Sequence, residues 1–198
     1  LYVDEWGMWV DQDEATDPPA LYQQGSIRDA IVAGLNLNLF HAHADVVKMT
    51  NIAQMVNVLQ AMILTDGPDM VLTPTYHVFD MYQPFMSAEA LEMNLQSPDY
   101  VFGDVTVPAI SASAARTEDS RIVLALVNAS AHDDHLVDAS AFGASKATGR
   151  ILQGEEMDSH NTFDGPDRVQ PAPYIVDGTA DDLVLSIPAR SVVVVTLD

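Results

Sequence analysis

Cysteine is absent from the 198 residues, which rules out a disulfide framework and any thiol chemistry. Basic residues are nearly as scarce: 8 Lys and Arg stand against 29 Asp and Glu, for a formal net charge of -21. Lysine occurs only as Lys48 and Lys146. So acidic a surface repels the phosphates of nucleic acid and of anionic membranes, and neither is an expected partner. The acid is spread in short groups such as Asp11-Gln12-Asp13-Glu14, Asp133-Asp134 and Asp181-Asp182 rather than gathered in a tail. That pattern suits a protein from a very salty cytoplasm, where ions screen the repulsion; an acidic enzyme from an ordinary cytoplasm is the alternative. No apolar run reaches the length of about 18 residues that suggests a bilayer-spanning helix. There is no basic stretch at the start, so no signal peptide is expected, and an opening without methionine inside the apolar run Leu1-Tyr2-Val3 reads as the tail of something longer. Phosphate-cradling glycine loops, metalloprotease helices, internal repeats and low-complexity tracts are also missing.

What is present points to a packed chain, with 48% hydrophobic residues. Leu1-Tyr2-Val3 reads as the end of a strand that runs into Asp4 and Glu5, beside Trp6 and Trp9, the two tryptophans of the chain. A strand that delivers a carboxylate next to flat apolar rings is what a sugar-processing site at the mouth of a β/α barrel requires. Residues 11–20 read as an acidic loop with Pro18-Pro19. Ser26 followed by Asp29 is a capping-box pattern, and the stripe Ile27, Ile31, Leu35 and Leu39 predicts a helix from Ser26 to about Phe40. Its small residues Ala30, Ala33 and Gly34 suit close packing in a β/α layer. Residues 46–56 read as a second strand, with Gln54 near its C-terminal end on the same rim as Glu5. Residues 57–67 either continue that strand or form a lid, and Asp66-Gly67-Pro68 marks a turn. Thr73-Pro74 reads as a capping hydroxyl and first-turn proline of a further helix, with Val78, Phe79 and Tyr82 on its apolar side, ended by Pro84.

From about Ser87 short apolar runs alternate with Gly, Pro, Asp and Asn clusters, the pattern of an antiparallel β-sandwich. The last piece reads as a hairpin, with strands over 183–187 and 191–197, a turn at Pro188-Ala189-Arg190, and valines 192–195 buried on both faces. Residues 153–173 form an irregular acidic excursion, either projecting to the barrel mouth with His160 and Asn161 or simply joining sheets.

Glu5 is the sharpest candidate site residue, since a nucleophilic carboxylate must be held rigidly within reach of an anomeric carbon; the plain reading is that Asp4-Glu5 starts an acidic loop. His41, His43 and Asp45 have a spacing that can chelate zinc from a strand, but histidine at a helix end is the simpler reading. His132 and His135 read as a solvated turn. Asn51, Gln54 and Asn57 are amides that either bind sugar hydroxyls or satisfy buried backbone. Asn128-Ala129-Ser130 matches a short glycosylation pattern.

Taken together, DEWG at 4–7 with Trp9, the stretch LYQQGSIRDAIVAGLNLNLFHAHADVVKMTNIAQMVNVLQAMILTDG at 21–67, TPTYHVFDMYQPF at 73–85 and MDSHNTFDGPDRVQP at 157–171 resemble the intracellular α-L-arabinofuranosidases of glycoside hydrolase family 51. The resemblance covers essentially the whole chain. It implies the C-terminal part of a (β/α)8 TIM barrel over 1–86, contributing strands 7 and 8 with their helices, followed over 87–198 by an antiparallel jelly-roll-like β-sandwich. It makes Glu5 the nucleophile of a retaining double displacement, places Gln54 of the AQxVN motif at the arabinose site, and puts Trp6 and Trp9 close by as substrate-binding aromatics. For His43 and Asp45 it implies a structural role. No metal or cofactor is implied. The expected location is cytoplasmic, and the expected partners are an arabinofuranosyl oligosaccharide and either further copies of the chain, hexamers being common in the family, or the upstream barrel portion. The family's acid/base glutamate lies upstream of the nucleophile and has no counterpart here, so the chain by itself is expected to be inactive and to leave sheet edges uncovered. A non-catalytic β-sandwich module that binds carbohydrate or a partner, or a related retaining endoglucanase or β-xylosidase, are the alternative readings.

Overall fold

The structure, a computed structural model, describes residues 1–10 and 23–198; the loop expected at 11–20 lies outside the described residues. β1 (Tyr2–Trp6) and β2 (Met49–Ile52) pair in parallel, joined through α1 (Ile27–Ala42). β2 is shorter than the 46–56 expected. After it the chain makes a tight antiparallel hairpin, β3 (Ile63–Asp66) and β4 (Asp69–Leu72), rather than a longer strand or a lid. Gly67 turns that hairpin at a positive φ of 54°. α2 (Pro74–Met81) follows. β1 and β2 form an open two-stranded sheet, so no barrel closes among the described residues. Closure requires eight strands, and two leave both edges free.

Beyond residue 86 the chain is almost wholly antiparallel. β5 (Glu89–Leu91), β8 (Ile110–Arg116), β9 (Ile122–Asn128), β11 (Lys146–Gln153), β12 (Ala172–Asp177) and β14 (Ser191–Leu197) make one six-stranded sheet in the order β12-β11-β14-β9-β8-β5. β10 (His135–Asp138) pairs with β13 (Val184–Ile187) across its face, and β6 (Asp99–Phe102) with β7 (Val105–Pro108) forms a separate exposed hairpin. The hairpin expected between 183–187 and 191–197 is not formed. β13 pairs with β10, whereas β14 pairs with β9 and β11, and Pro188-Ala189-Arg190 carries the chain from one sheet to the other. Arg190 sits at a positive φ of 56°, which turns the chain out of its plane.

The central strands are buried on both faces, and alternation assigns the faces. Val123, Ala125, Val127, Val192 and Val194 meet Ile27, Ala30, Ile31, Val78 and Met81 of the two helices. Leu124, Leu126, Val193 and Val195 meet Leu183, Leu185 and Ile187 on the opposite side. Hence the valines at 192–195 are enclosed on both sides, as their run predicts. The close approach of α1 is to this antiparallel sheet. A Cβ added at Gly34 would lie 2.8 Å from Cγ2 of Val127, so the small residues of α1 serve the sandwich rather than a β/α layer.

Candidate active site

β1 ends with Glu5 and Trp6, and β2 ends beside it, because parallel pairing in register brings Trp6 opposite Ile52. The backbone N–H of Ala53 donates to the carbonyl of Trp6 at 3.0 Å, extending the ladder one residue past β2. Glu5 and Gln54 therefore lie at the C-terminal ends of neighbouring parallel strands, on one rim, and both are exposed. The Ala53–Gln54 peptide is cis. A shallow cleft of about 230 Å³ opens there, lined by Glu5, Trp6, Met8, Trp9, Ala53 and Gln60 among others. A larger groove of about 410 Å³, lined by Leu37, Phe40, Val47, Phe79 and Met86 among others, includes no acidic side chain and offers nothing to attack a glycosidic carbon.

The two tryptophans differ in setting. Trp9 is 66% exposed at the cleft. Trp6 packs inward, edge-on to Phe40 with ring centroids at 5.3 Å and stacked on Phe79 at 6.0 Å, which pins the end of β1 to α1 and α2.

Two buried amides, to which no sequence motif pointed, hold the segment after β1. Gln60 accepts from the N–H of Met8 at 2.9 Å and donates to the carbonyl of Ala53 at 3.2 Å. Gln23 donates to the carbonyl of Met8 at 2.9 Å and accepts from the N–H of Val10 at 3.2 Å. Gly7, between them, has φ of +142°, and a Cβ there would fall 1.3 Å from Nε2 of Gln60. A glycine directly after the acid–aromatic pair was the one sequence signal for such a close approach.

A second unanticipated link comes from the excursion between β11 and β12. The first N–H groups of α1 have no partner within the helix. Those of Ile27 and Arg28 donate to the carbonyls of Ser159 and Met157, at 3.0 and 2.9 Å. The expected capping box forms alongside, with Asp29 Oδ2 accepting from the Ser26 N–H at 2.8 Å and from its hydroxyl at 3.0 Å. Asn161, 1% exposed, donates to the carbonyls of Leu72 and Val169 at 2.9 and 3.0 Å and accepts from the Val169 N–H at 2.7 Å. The excursion thus braces the start of α1 and the end of β4 instead of lining the cleft.

None of the other candidates lines this cleft. His41 bonds the Ser113 hydroxyl at 2.9 Å and stacks on Phe85 at 4.5 Å; burial lowers its pKa to about 4. Its neighbours Asn38, Tyr82 and Ser113 share one network, in which Asn38 Oδ1 accepts from both hydroxyls at 2.9 and 2.7 Å. His43 is the exposed residue that ends α1, and no group of metal-ligating side chains occurs among the described residues. Asn57 is at a positive φ of 58° and spends its amide on Thr65 of β3, while Asn51 is exposed. Thr73 is the N-cap residue of α2 with Pro74 in the first turn, as expected, but its hydroxyl does not cap the helix and donates instead to the carbonyls of Ala61 and Met62. His135 lies in β10 rather than in a turn. Asn128 is fully buried and donates to the carbonyls of Asp133 and Ile187, so the glycosylation pattern is inaccessible in the folded chain.

The chain is similar to known proteins along its whole length. The family model described as α-L-arabinofuranosidase C-terminal domain matches residues 4–191. An intracellular exo-α-L-arabinofuranosidase of Bacteroides ovatus is 41% identical over 204 residues, taking in 100% of this chain and 39% of that protein. The chain thus spans 39% of that relative's length. The crystal structure of a glycoside hydrolase family 51 arabinofuranosidase from Xanthomonas axonopodis pv. citri superposes with a TM-score of 0.92 at 43% identity, covering 100% of this chain and 41% of that one. An α-L-arabinofuranosidase from Thermotoga maritima in complex with arabinose shares the fold, with a TM-score of 0.82 at 23% identity over 98% of this chain and 42% of its own.

Proposed function

Because this chain belongs to the α-L-arabinofuranosidases of glycoside hydrolase family 51, we propose that it carries the nucleophile half of a retaining glycosidase site, with Glu5 as the attacking carboxylate. The observation that carries this reading is the position of Glu5: exposed, at the C-terminal end of a parallel strand, and in a cleft it shares with Trp9. That is where β/α barrels keep their catalytic groups. On this reading β1 and β2 are the seventh and eighth strands of a (β/α)8 barrel, residues 1–86 are its end, and residues 87–198 are a jelly-roll-like sandwich. Gln54 and Trp9 face the sugar, and Trp6 steadies the strand end between the helices.

A carboxylate oxygen of Glu5 attacks the anomeric carbon of a terminal α-L-arabinofuranosyl unit as the bond to the leaving oxygen breaks. That oxygen takes its proton from a second carboxyl group about 5 Å away, supplied by polypeptide upstream of this chain. Water then attacks the same carbon, losing its proton to that second group, and Glu5 departs as the carboxylate. Configuration is retained through the two inversions. The substrates are arabinose-containing oligosaccharides from arabinan or arabinoxylan. The location is cytoplasmic, in keeping with the intracellular relative from Bacteroides ovatus. The working form is the full-length polypeptide, alone or as a homo-oligomer.

The test is Glu5→Ala in the full-length polypeptide. Turnover of an aryl α-L-arabinofuranoside is expected to fall by about 10³-fold or more, and azide should restore it with formation of the inverted arabinosyl azide. An Ala variant that keeps parental turnover would remove Glu5 from the chemistry and leave the chain as a carbohydrate-binding or assembly module.

A further inference from the structure

Gln60 is the single polar residue among the largest fully buried side chains of the described residues, at 1% exposure. Burying a carboxamide is costly unless both ends are hydrogen-bonded. Both ends are, and the partners come from the turns that follow the two parallel strands. The bonds close a circuit. The Trp6 carbonyl accepts from the Ala53 N–H, the Ala53 carbonyl accepts from Nε2 of Gln60, and Oε1 of Gln60 accepts from the Met8 N–H. Glu5 precedes Trp6 in this circuit and Gln54 follows Ala53. Gly7 at the centre leaves Nε2 the space it fills, since any Cβ would overlap it.

We propose that Gln60 is the positioning residue of this site: its carboxamide ties the turn after β1 to the turn after β2 and so sets the separation of Glu5 from Gln54. The inference rests on the reading of Glu5 as nucleophile. The circuit needs one donor and one acceptor on a single side chain. Leucine of similar size offers neither, and an ionised glutamate offers two acceptors facing a carbonyl. A protonated glutamic acid restores the donor.

The experiment compares Gln60→Leu and Gln60→Glu with the parent in the full-length enzyme. Active sites are counted by covalent labelling with a 2-deoxy-2-fluoro arabinofuranosyl inactivator and the labelled peptide is identified by mass spectrometry. For Gln60→Leu, kcat per labelled site should fall about tenfold to a hundredfold while KM stays within about threefold, as expected for a reacting group displaced by a fraction of an ångström to an ångström. For Gln60→Glu, the ratio of its kcat to that of the parent should rise as pH is lowered and the new carboxyl is protonated, a signature that general loosening of the fold would not produce. If Gln60→Leu proves unfolded, Gln60→Glu, of the same size, decides alone. Parental kcat per labelled site in Gln60→Leu, or a flat ratio for Gln60→Glu across pH, overturns the proposal. Labelling at a residue other than Glu5 overturns the nucleophile reading instead, so the two failures are distinguishable.

Discussion

A single imidazole shows how much of this chain's polarity is structural. His41 belongs to the HAHAD stretch whose spacing suggests a metal site, yet it is enclosed against Phe85 and Tyr82 and bonded to Ser113. Enclosure disfavours the charged ring and takes its pKa from 6.5 to about 4. The unfolded chain then binds a proton more readily than the folded one between these values. The His41 contribution is accordingly intact above about pH 6.5 and lost as pH falls toward 4, on the order of 3 kcal/mol in total. Unfolding free energies of the full-length protein measured from pH 7 to 4 should decline over that window, and His41→Phe should flatten the decline. An equal slope in parent and variant would show that other groups carry it. The same contrast between pattern and setting applies to the two tryptophans. Both stood out by composition and by nearness to Glu5, but only the side-chain packing separates Trp9, which is free at the cleft, from Trp6, which is held by two phenylalanines.

Among the elements, the periodicity and cap of α1 are legible in the sequence, whereas the hydroxyl cap expected at Thr73 does not form and packing partners are not legible. The stripe on α1 and its Ser26–Asp29 box are local features, and the helix forms one residue from where they place it and extends two residues further. Which sheet α1 packs on depends on residues nearly a hundred positions away, which periodicity does not encode. The same holds for 183–197: two good strands with a turn between them read as a hairpin, and long-range pairing puts them in different sheets. The excursion between β11 and β12 reads as irregular because it makes no ladder, yet it supplies acceptors to the N-terminus of α1. Asn161 is the pin of that brace. Asn161→Ala should cost about 2–4 kcal/mol, since it strips partners from three enclosed backbone groups. Denaturant unfolding of the full-length protein gives the value, and a change under about 0.5 kcal/mol would mean the brace is dispensable. Arg150 makes a separate link, from β11 to α2, through an ion pair with Asp80 at 2.6 Å.

For the molecule as a whole, the dominant facts are two core layers on opposite faces of one sheet and one sign of charge. The six-stranded sheet is covered by the helices on one face and by β10 and β13 on the other, so the site-bearing strands are fixed to the sandwich through α1 and α2. Against this stands a formal charge of -21, with ion pairs among the described residues at Arg28–Asp29, Arg121–Asp119, Lys146–Asp177 and Arg150–Asp80. Most carboxylates repel one another across solvent, and salt weakens that repulsion. The thermal midpoint of the full-length protein should therefore rise as KCl is raised from about 0.1 M to about 2 M, where the screening length shrinks from about 10 Å to below 3 Å. A midpoint that is flat or falls with salt would contradict the expectation of a salty cytoplasm.

The family, the helix at the Ser26–Asp29 box, the run of antiparallel strands toward the C-terminus, the acid at the end of the first strand and the amide just past the end of the second are all legible in the sequence, because these are matters of local order and spacing. Packing in three dimensions is what shows that Gln60 and Gln23 grip the turn around Gly7, that α1 leans on the antiparallel sheet, and that Trp6, while lining the cleft, stacks against Phe40 and Phe79. Each depends on a buried polar group or an apolar face finding its partner far along the chain. Such partners are chosen by packing and hydrogen-bond satisfaction in three dimensions, and a one-dimensional pattern contains no term for them.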